Sequence, residues 1–349
     1  MKAVIDRLKP RLRRCSWELT LRCNYRCVHC GSEGGEARYR ELTTKQALGV
    51  CDALANLGCR EVTLLGGEPF LRPDWEVIAT RLISLGLDLN IVSNGSCIDR
   101  EMAERLADAG VNSVGISLDG LEDTHNSIRM NPDAFGGCLR AFDALRGAGV
   151  SVCVVTVAMP RNVSELPDML QLLTSREIGQ WQIQLPIPTG RFSGAPVPML
   201  EDLLRDTNAF LVSAQEQDAV RVYAGCDVGY FGNSEEHIRT VNGDGLGFWS
   251  GCYAGVLLAG IRSDGSVTGC LALPPELDEG NIAQTGLEEI WNSEDAFTYN
   301  RGFSPSQLSG ACAACPYGNV CRGGCHAMAW FTSGLLFADP ICAHRLESA

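Results

Sequence analysis

The chain of 349 residues lacks an excess of positive charge, a long apolar run and any extended stretch of low complexity. Lys and Arg total 29 against 42 Asp and Glu, and this formal net charge of −13 opposes binding to nucleic acids, anionic membranes and polyanionic substrates. The longest apolar stretches, such as Val150–Met159, are far shorter than the ~20 residues that cross a bilayer. We therefore expect no nucleic-acid partner and no membrane-spanning segment.

The beginning of the chain also lacks the pattern of a secretory signal peptide. Met1–Arg14 contains six Lys or Arg residues, but no apolar segment follows them. A cytoplasmic location is therefore expected, and structural disulfides are rare in that compartment. Seventeen Cys residues are too many for such a protein, and their number is odd. Metal or iron–sulfur ligation is the leading explanation for many of them.

Hydrophobic periodicity predicts an α/β fold, because strand-like and helix-like segments alternate over the first two thirds of the chain. The predicted strands are Ser16–Arg22, Glu61–Gly66, Asp88–Ser93, Ser113–Leu118, Ser151–Val157 and Gln180–Ile187. The predicted helices are Thr43–Leu57, Asp74–Leu85, Asp99–Ala109, Phe135–Ala148 and Ser164–Ser175. Six such units predict a parallel sheet curved into a partial (β/α)6 barrel.

The alternation stops after about residue 190, and the character of the sequence then changes twice. A Pro- and Gly-rich segment leads to a predicted helix at Met199–Gln217, and seven Cys residues follow from Cys252 onward. Asp264-Gly265 between two apolar runs predicts a β-hairpin. The predicted domains are a basic extension (1–14), the partial barrel (15–198), a bridging helix and linker (199–251) and a small ligand-nucleated module (252–349).

Three Cys residues follow the first predicted strand on one short segment, at Cys23, Cys27 and Cys30. Three thiolates on a tight loop can hold three irons of a [4Fe-4S] cluster and leave the fourth iron open to a ligand. A structural zinc site needs four closed ligands, and a redox dithiol needs two. His29 is the alternative fourth zinc ligand, but it lies too near Cys30 for both to bind one metal comfortably. The spacing therefore favours an iron–sulfur cluster.

This Cys-x3-Cys-x2-Cys spacing, with an aromatic residue before the last Cys, resembles the cluster motif of the radical S-adenosylmethionine (SAM) superfamily. The segment Gly66-Gly67-Glu68-Pro69 resembles the family's GGEP motif, whose backbone meets the methionyl amino group of SAM. Paired glycines permit close approach of a ligand, and Glu68 or nearby carbonyls can accept hydrogen bonds from an ammonium. A plain strand-to-helix turn is the alternative interpretation of this segment.

Polar residues at the ends of two further predicted strands resemble other SAM-binding positions of the family. Ser93 and Asn94 follow the third strand, and Ser117 and Asp119 follow the fourth, where α/β barrels place their ligand-binding groups. In the family these positions line the ribose and carboxylate of SAM. Arg129 resembles an Arg that pairs with the SAM carboxylate, as a bidentate guanidinium can. A surface salt bridge is the alternative role for Arg129.

The C-terminal Cys residues resemble the family's seven-Cys SPASM domain in every spacing. The resemblance implies one auxiliary [4Fe-4S] cluster on Cys312, Cys315, Cys321 and Cys342. It implies a second on Cys252, Cys270 and Cys325, whose fourth ligand is another residue, water or substrate. Cys226 is the nearest upstream thiol, and a small buried apolar side chain is the alternative role for it. Zinc stays open for this block from the CxxC spacing alone.

The resemblance covers roughly Cys15–Cys342 and implies a SAM-dependent oxidoreductase. The bound SAM would be cleaved to methionine and a 5′-deoxyadenosyl radical, which abstracts hydrogen from a substrate. A ribosomally synthesised peptide is the expected substrate, with cross-linking, epimerisation or oxidation as its maturation step. A sugar or aminocyclitol is the second candidate, and a non-enzymatic iron–sulfur electron carrier is the third.

The resemblance also implies partners. A reductase such as flavodoxin or ferredoxin would supply the electron that cleaves SAM. The twenty-two residues before Cys23 are too few for a fused peptide-recognition domain, so we expect a separate recognition protein or direct capture of the peptide. The sequence identifies no catalytic acid or base.

Overall fold

The structure, a computed structural model, describes residues 9–215, 219–241 and 247–348. Its strands are β1 (Arg14–Thr20), β2 (Glu61–Gly66), β3 (Asp88–Ser93), β4 (Ser113–Ser117), β5 (Ser151–Val157), β6 (Gln180–Gln184), β7 (Arg221–Ala224), β8 (Leu258–Ile261), β9 (Ser266–Thr268) and β10 (Gly280–Asn281). Parts of the predicted basic extension, of the helix predicted at Met199–Gln217, of the 199–251 linker and of the C-terminal module lie outside the described residues.

The α-helices of the described residues include the five that the periodicity predicts between the strands. They are α1 (Thr44–Asn56), α2 (Trp75–Ser84), α3 (Arg100–Ala109), α4 (Glu122–Arg129), α5 (Ala134–Gly147), α6 (Leu166–Ser175), α7 (Val197–Ala214), α8 (Glu235–Val241), α9 (Leu287–Asn292), α10 (Thr298–Arg301), α11 (Gly318–Cys321), α12 (His326–Ser333) and α13 (Ala343–Ser348). None of the helices in this part of the chain is long and apolar enough to cross a membrane.

Local sequence signals explain where these helices begin and end. Thr43 accepts a hydrogen bond from the backbone of Gln46, whose side chain accepts one from the Thr43 backbone, so a reciprocal cap starts α1. Asp99 caps α3 by accepting a 2.9 Å hydrogen bond from the backbone of Met102. The same helix ends at Gly110, whose φ of 83° lies in the left-handed region that favours glycine.

Ten strands form one sheet within the described residues, in the order β10-β9-β8-β1-β2-β3-β4-β5-β6-β7. Strands β1 to β7 are parallel and lie side by side in chain order. The α/β class and the partial radical SAM barrel are therefore confirmed, and β2, β3 and β5 have the predicted bounds.

Within the described residues, four strands (β7 to β10) extend the sheet beyond the six predicted βα strands. Strand β7 lies within residues 199–251, where only a helix and a linker were expected, and it pairs with β6. On the other side, β8 pairs in parallel with β1 and then forms the expected hairpin with β9. Helix α4 was not predicted either. The C-terminal module therefore continues the sheet of the barrel.

The two faces of the sheet differ in burial, as alternation along β6 illustrates. Trp181 and Ile183 point to the helices and are fully buried, whereas Gln182 and Gln184 are partly exposed on the opposite face. Because the helices cover the first face, the second is the concave face of the partial barrel. We call it the concave face.

A buried carboxylate joins β1 to both neighbouring parts of the molecule. Glu18 is 2% exposed and accepts a charged hydrogen bond from Arg38, which lies in the segment after Cys30. It also accepts hydrogen bonds from the backbone and hydroxyl of Ser263, beside the β8–β9 hairpin. The barrel and the C-terminal module therefore meet through a shared polar contact.

Candidate cluster and cofactor site

Cys23, Cys27 and Cys30 lie on a loop that leaves the carboxyl end of β1 and folds back on itself. The backbone of Cys23 donates a 2.9 Å hydrogen bond to the carbonyl of Gly35, and the backbone of Gly35 donates one of 3.0 Å to Leu21. Tyr25, Cys27 and Ala134 form a small buried group against which Cys23 and Cys30 pack. The three predicted thiols are therefore brought together at one place. We call residues 21–35 the cluster loop.

Each of the three thiols of the cluster loop accepts one N–H hydrogen bond. The backbone N–H of Tyr25 lies 3.4 Å from Cys23 Sγ, and that of Gly34 lies 3.4 Å from Cys30 Sγ. The third donor is a side chain, since Arg129 Nη1 lies 3.7 Å from Cys27 Sγ. Hydrogen bonds to sulfur are a recognised feature of cluster ligands, so this arrangement fits a [4Fe-4S] group held by three thiolates.

Arg191, which the sequence analysis did not single out, fastens the cluster loop to the segment after β6. Its backbone donates a hydrogen bond to the carbonyl of Cys30 at 3.1 Å, and its Nε donates one to the carbonyl of Cys27 at 2.8 Å. The neighbouring Gly190 packs so closely that a Cβ there would lie 2.5 Å from the Cys30 carbonyl. A Gly-Arg pair after a strand is too common a pattern to reveal this role.

The GGEP-like segment needs its two glycines because it packs directly against the backbone of another part of the chain. A Cβ on Gly67 would lie 2.2 Å from the carbonyl oxygen of Arg22, and one on Gly66 would lie 2.3 Å from that of Thr20. Gly66 also has a φ of 141°, which favours glycine. These contacts hold the end of β2 against the start of the cluster loop, whereas the sequence suggested only that they admit a ligand.

Glu68 and Pro69 follow these glycines, and the Glu68 side chain is fully buried. It accepts hydrogen bonds from the Ser93 hydroxyl at 2.9 Å and from the Asn94 backbone at 2.8 Å. Burial raises the pKa of Glu68 to about 7, although these two donors lower it. Glu68 therefore joins the ends of β2 and β3.

The side chain of Asn94 continues this network into the cluster loop. Its amide donates a 2.8 Å hydrogen bond to Asn24, which in turn donates one of 2.7 Å to Ser96. The predicted residues Glu68, Ser93 and Asn94 are thus brought together with the cluster loop.

Asp119, just after β4, forms a buried charged group with Arg129 and His29. Its Oδ2 lies 2.5 Å from Arg129 Nη2 and 3.3 Å from His29 Nε2, and its Oδ1 accepts a 2.9 Å hydrogen bond from the Val157 backbone. Burial raises the pKa of Asp119, but the neighbouring Arg129 and histidines outweigh it and hold the pKa below its usual range. Burial lowers the pKa of His29 to about 4, although the charge of Asp119 raises it. Ser117, at the end of β4, is partly exposed on the concave face.

Arg129 therefore makes a buried ion pair, not the surface salt bridge considered from sequence. Two buried nitrogens of this group, His29 Nδ1 and Arg129 Nε, have no hydrogen-bond partner among the described residues. Buried polar atoms are nearly always satisfied in folded proteins. A ligand with carboxylate, hydroxyl and amino groups, such as SAM, fits this need beside the cluster loop.

The second set of thiols lines one pocket in the C-terminal module. These thiols are Cys312, Cys315, Cys321 and Cys342. Aromatic side chains close the same pocket, and they are Tyr230, Phe231 and Tyr317. The ring of Phe231 stacks on that of Tyr317 with centroids 4.4 Å apart. Four thiols around one pocket fit a closed four-ligand cluster. We call this the distal pocket.

The remaining SPASM thiols, Cys252, Cys270 and Cys325, form a third group that includes Cys226. The Cys325 thiol is hydrogen-bonded to that of Cys226, and this bond together with burial raises the pKa of Cys325 well above its ordinary value. Burial, with the nearby Cys226 and Cys252, raises the pKa of Cys270 to about 12. Cys226 is exposed, so it is not the small buried apolar residue considered as its alternative role.

Two family models match the sequence, the Radical SAM superfamily over residues 17–173 and the SPASM iron–sulfur cluster-binding domain over residues 252–316. An AdoMet-dependent heme synthase of Methanosarcina barkeri is 32% identical over 348 residues, covering 96% of this chain and 97% of that protein. The mycofactocin maturase MftC of Mycolicibacterium smegmatis is 32% identical over 332 residues, covering 94% and 81%.

The fold also resembles solved structures of SuiB from Streptococcus suis. The SAM-bound structure superposes with a TM-score of 0.75 at 17% identity, covering 98% of this chain and 80% of that one. The structure with the precursor peptide SuiA gives 0.74 at 16% identity, covering 98% and 78%. At this level of identity the likeness concerns the fold.

Proposed function

The chain belongs to the radical SAM superfamily and carries a SPASM domain, so it is an enzyme that uses SAM, and we propose that it matures a ribosomally synthesised peptide. The observation that carries this proposal is the chemistry of the concave face. Gln182 and Gln184 on β6 and Asn90 on β3 are partly exposed there, and Tyr223 on β7 lies 3.3 Å from Cys153 on β5.

Toward the carboxyl ends of the strands, the concave face combines apolar side chains, such as Leu65, Val92 and Val155, with the polar side chains of Ser117 and Gln184. Along the described strands β2 to β6 it carries no Lys or Arg. A peptide backbone presents amide donors and acceptors without net charge, and side-chain amides such as Gln182 and Gln184 offer both complements. The names of two similar proteins, a mycofactocin maturase and SuiB with its precursor peptide, support the same substrate class.

The cofactors are iron–sulfur clusters and SAM, and we assign their residues as follows. Cys23, Cys27 and Cys30 hold the SAM-binding cluster. The ends of β2 to β4 hold SAM through Gly66, Gly67, Glu68, Pro69, Ser93, Asn94, Ser117, Asp119 and Arg129. The distal pocket holds one auxiliary cluster, and Cys252, Cys270 and Cys325 hold another, with Cys226 as its fourth ligand.

When bound, SAM and the clusters supply a radical that takes a hydrogen atom from the substrate and an acceptor for the electron that the substrate then gives up. The protein's own residues orient and enclose this chemistry. Glu68 and Asn94 fix the strand ends relative to the cluster loop, and Arg129 Nε is available to the SAM carboxylate. The side chains of the concave face hold the substrate away from bulk water. We further propose that a flavodoxin or ferredoxin reduces the first cluster, and that the peptide reaches the site with a separate recognition protein or by direct capture.

A second candidate function rests on the full-length similarity to the heme synthase. The name of that relative says that it makes heme, a porphyrin with carboxylate side chains, for which cationic partners are expected in a binding site. Arg191 binds backbone carbonyls and Arg129 pairs with Asp119, so of these two guanidinium groups only Arg129 Nε is left without a partner. The lack of Lys and Arg on the described strands β2 to β6 therefore favours a peptide over a porphyrin.

The test is an anaerobic assay of the reconstituted enzyme with SAM, dithionite and one of three probes. The probes are a library of short peptides, Fe-coproporphyrin III and an aminocyclitol. We expect a peptide product by mass spectrometry, formed in proportion to 5′-deoxyadenosine. Conversion of the porphyrin or the aminocyclitol, with no peptide converted, would overturn the proposal.

Variants on β6 sharpen this test. Gln184→Ala should raise the KM for the peptide several-fold and leave substrate-free SAM cleavage unchanged, because Gln184 lies on the concave face near the carboxyl end of the strand. Gln180→Ala is the matched control, since Gln180 lies on the same face of β6 but at its amino end. Equal effects of the two variants would argue against substrate binding at Gln184.

Substitution of Cys270 tests the auxiliary site nearer the barrel. Cys270→Ala should spare SAM cleavage measured as 5′-deoxyadenosine and abolish peptide conversion. Normal conversion by this variant would remove any role of that site in accepting the substrate's electron.

A further inference from the structure

The three N–H donors that face the thiols of the cluster loop are not equivalent. Those at Cys23 and Cys30 are neutral backbone amides, from Tyr25 and Gly34. The donor at Cys27 is the guanidinium of Arg129, which stays protonated and positively charged in proteins. One of the three ligands thus has a charged partner that a single substitution can change.

The geometry holds this guanidinium in place. Arg129 is the last residue of α4, and its Nη2 pairs with Asp119 at 2.5 Å while its Nη1 reaches Cys27 Sγ. Asp119 is itself fixed, because its Oδ1 accepts from the Val157 backbone and its carbonyl accepts from the Asn162 amide at 2.9 Å. The side chains of Arg129, Asp119 and Cys27 are all buried, so dissolved salt screens the electrostatic interactions among them little.

We propose that Arg129, positioned by Asp119, sets the reduction potential of the SAM-binding cluster through its charged hydrogen bond to Cys27. Reduction adds one negative charge to the cluster, and a nearby cation stabilises the reduced state. Hydrogen bonds to the ligand sulfurs and local charge are the established means by which proteins set such potentials. Asp119 opposes this effect, so the pair gives an intermediate potential. The inference rests on the proposed function, which assigns Cys27 as a cluster ligand.

Two near-isosteric substitutions should therefore shift the midpoint potential in opposite directions. Arg129→Gln removes the cation and should make the potential more negative. Asp119→Asn removes the opposing anion and should make it more positive. Arg129→Lys keeps the charge and should shift the potential less than Arg129→Gln. A residue that merely supports the fold would not give opposite signs.

The measurement is a redox titration of the full holoenzyme without SAM, followed by electron paramagnetic resonance. The signal of the SAM-binding cluster is the difference from the variant in which Cys23, Cys27 and Cys30 are all Ala. Arg140→Gln is the control, because Arg140 pairs with Asp133 on the surface and is 63% exposed. Its shift should be smaller than that of either test variant.

The outcomes separate this inference from the proposed function. Opposite shifts in Arg129→Gln and Asp119→Asn support the inference. Shifts of the same sign, or no shift with full iron content, overturn it and leave the cluster assignment intact. If Arg129→Gln loses its cluster, the sign of the shift in Asp119→Asn decides, because a more positive potential supports the inference and a more negative or unchanged one overturns it. If the triple Cys variant retains the complete signal, the proposed function itself is overturned.

Discussion

The cluster loop and the distal pocket each gather Cys residues, but the protein supports them in different ways. The cluster loop rests on strands of the barrel, and its hydrogen bonds reach Glu68, Asn94 and Arg191. The distal pocket is bordered by very short elements, such as α11 (Gly318–Cys321) and a 3-10 turn at Gly310–Cys312. The cluster loop is therefore supported by long elements of the barrel, whereas the distal pocket is supported by short ones.

This contrast follows from the length of the elements around each site, not from the burial of the thiols. At both sites most of the thiols are partly buried, and Cys27 and Cys321 are the buried members. The distal pocket also shares the continuous apolar core of the barrel, to which Tyr230 and Ile341 belong. Its own elements are only three or four residues long, so we expect a metal group bound there to contribute to the folding free energy of the module.

The largest expected effect is that of replacing Cys23, Cys27 and Cys30 together by Ala. SAM cleavage should be lost entirely, and about a third of the roughly twelve irons expected for three four-iron clusters should go with it. Thermal stability should change little, because the barrel supports the loop without the cluster. Iron analysis, 5′-deoxyadenosine assays and thermal unfolding test this. A full iron load in this variant, or zinc in the wild type, would contradict the assignment.

Cys321→Ala should produce the opposite combination. Loss of a ligand of the distal pocket should lower the free energy of unfolding by about 2 kcal/mol or more, which corresponds to roughly 3 °C in the unfolding midpoint of a chain of this length, and should reduce soluble yield. SAM cleavage per remaining SAM-binding cluster should be retained. Cys97→Ala is a suitable control, since Cys97 is a half-buried thiol outside the three groups. An unchanged midpoint would mean that the distal module folds without its cluster.

Gly67→Ala probes whether the support of the cluster loop is as rigid as the contacts indicate. The added Cβ would meet the Arg22 carbonyl at 2.2 Å and displace the start of the loop, so cluster content and SAM binding should fall together. Gly49→Ala is the control, because a Cβ there meets nothing within 4 Å. Normal iron content with weakened SAM binding would show that Gly67 serves the ligand and not the loop.

The smallest effect concerns Glu68 and pH. Its pKa of about 7 in the folded protein lies above the ordinary value of 4.5, so the unfolded chain ionises first as pH rises. The resulting contribution to stability is fully present below pH 4.5 and is lost as pH rises toward 7. Relative to wild type, Glu68→Gln should therefore become progressively more stable between pH 5 and 7.5. A constant difference in unfolding midpoints over this range would contradict the buried protonated carboxyl.

Much of this contrast was readable from the sequence, because it rests on local patterns. Glycines and capping residues mark where the helices of the βα units begin and end. The strands between them are therefore well delimited in the sequence, and β2, β3 and β5 have their predicted bounds. The spacing of Cys23, Cys27 and Cys30 predicts one group of thiols, because these residues are neighbours on one loop. The division of the C-terminal Cys residues into two groups was implied only by the family resemblance, because Cys252, Cys270 and Cys325 lie far apart in the chain.

Other features depend on distant contacts and were missed. Helix α4 is short and polar in its first turns, so its periodicity is weak, yet it carries Arg129 to Cys27 and Asp119. The four residues of β7 are too few to show a strand pattern in the sequence, and they form a strand by pairing with β6. Cys226 lies far from its partners in sequence, and only the fold brings it to Cys325.

The pairing of β1 with β8 has a consequence for how the chain is made. The hydrogen bonds from Ser263 to Glu18 span 245 residues, so one edge of the first strand stays open until the ribosome has finished most of the polypeptide. Contacts of such long range slow folding, and an uncovered strand edge invites pairing with other chains. A polypeptide truncated before β8 would thus lose more than its C-terminal Cys residues. The strand that leads into the cluster loop would keep an unpaired edge, and we expect such a polypeptide to aggregate.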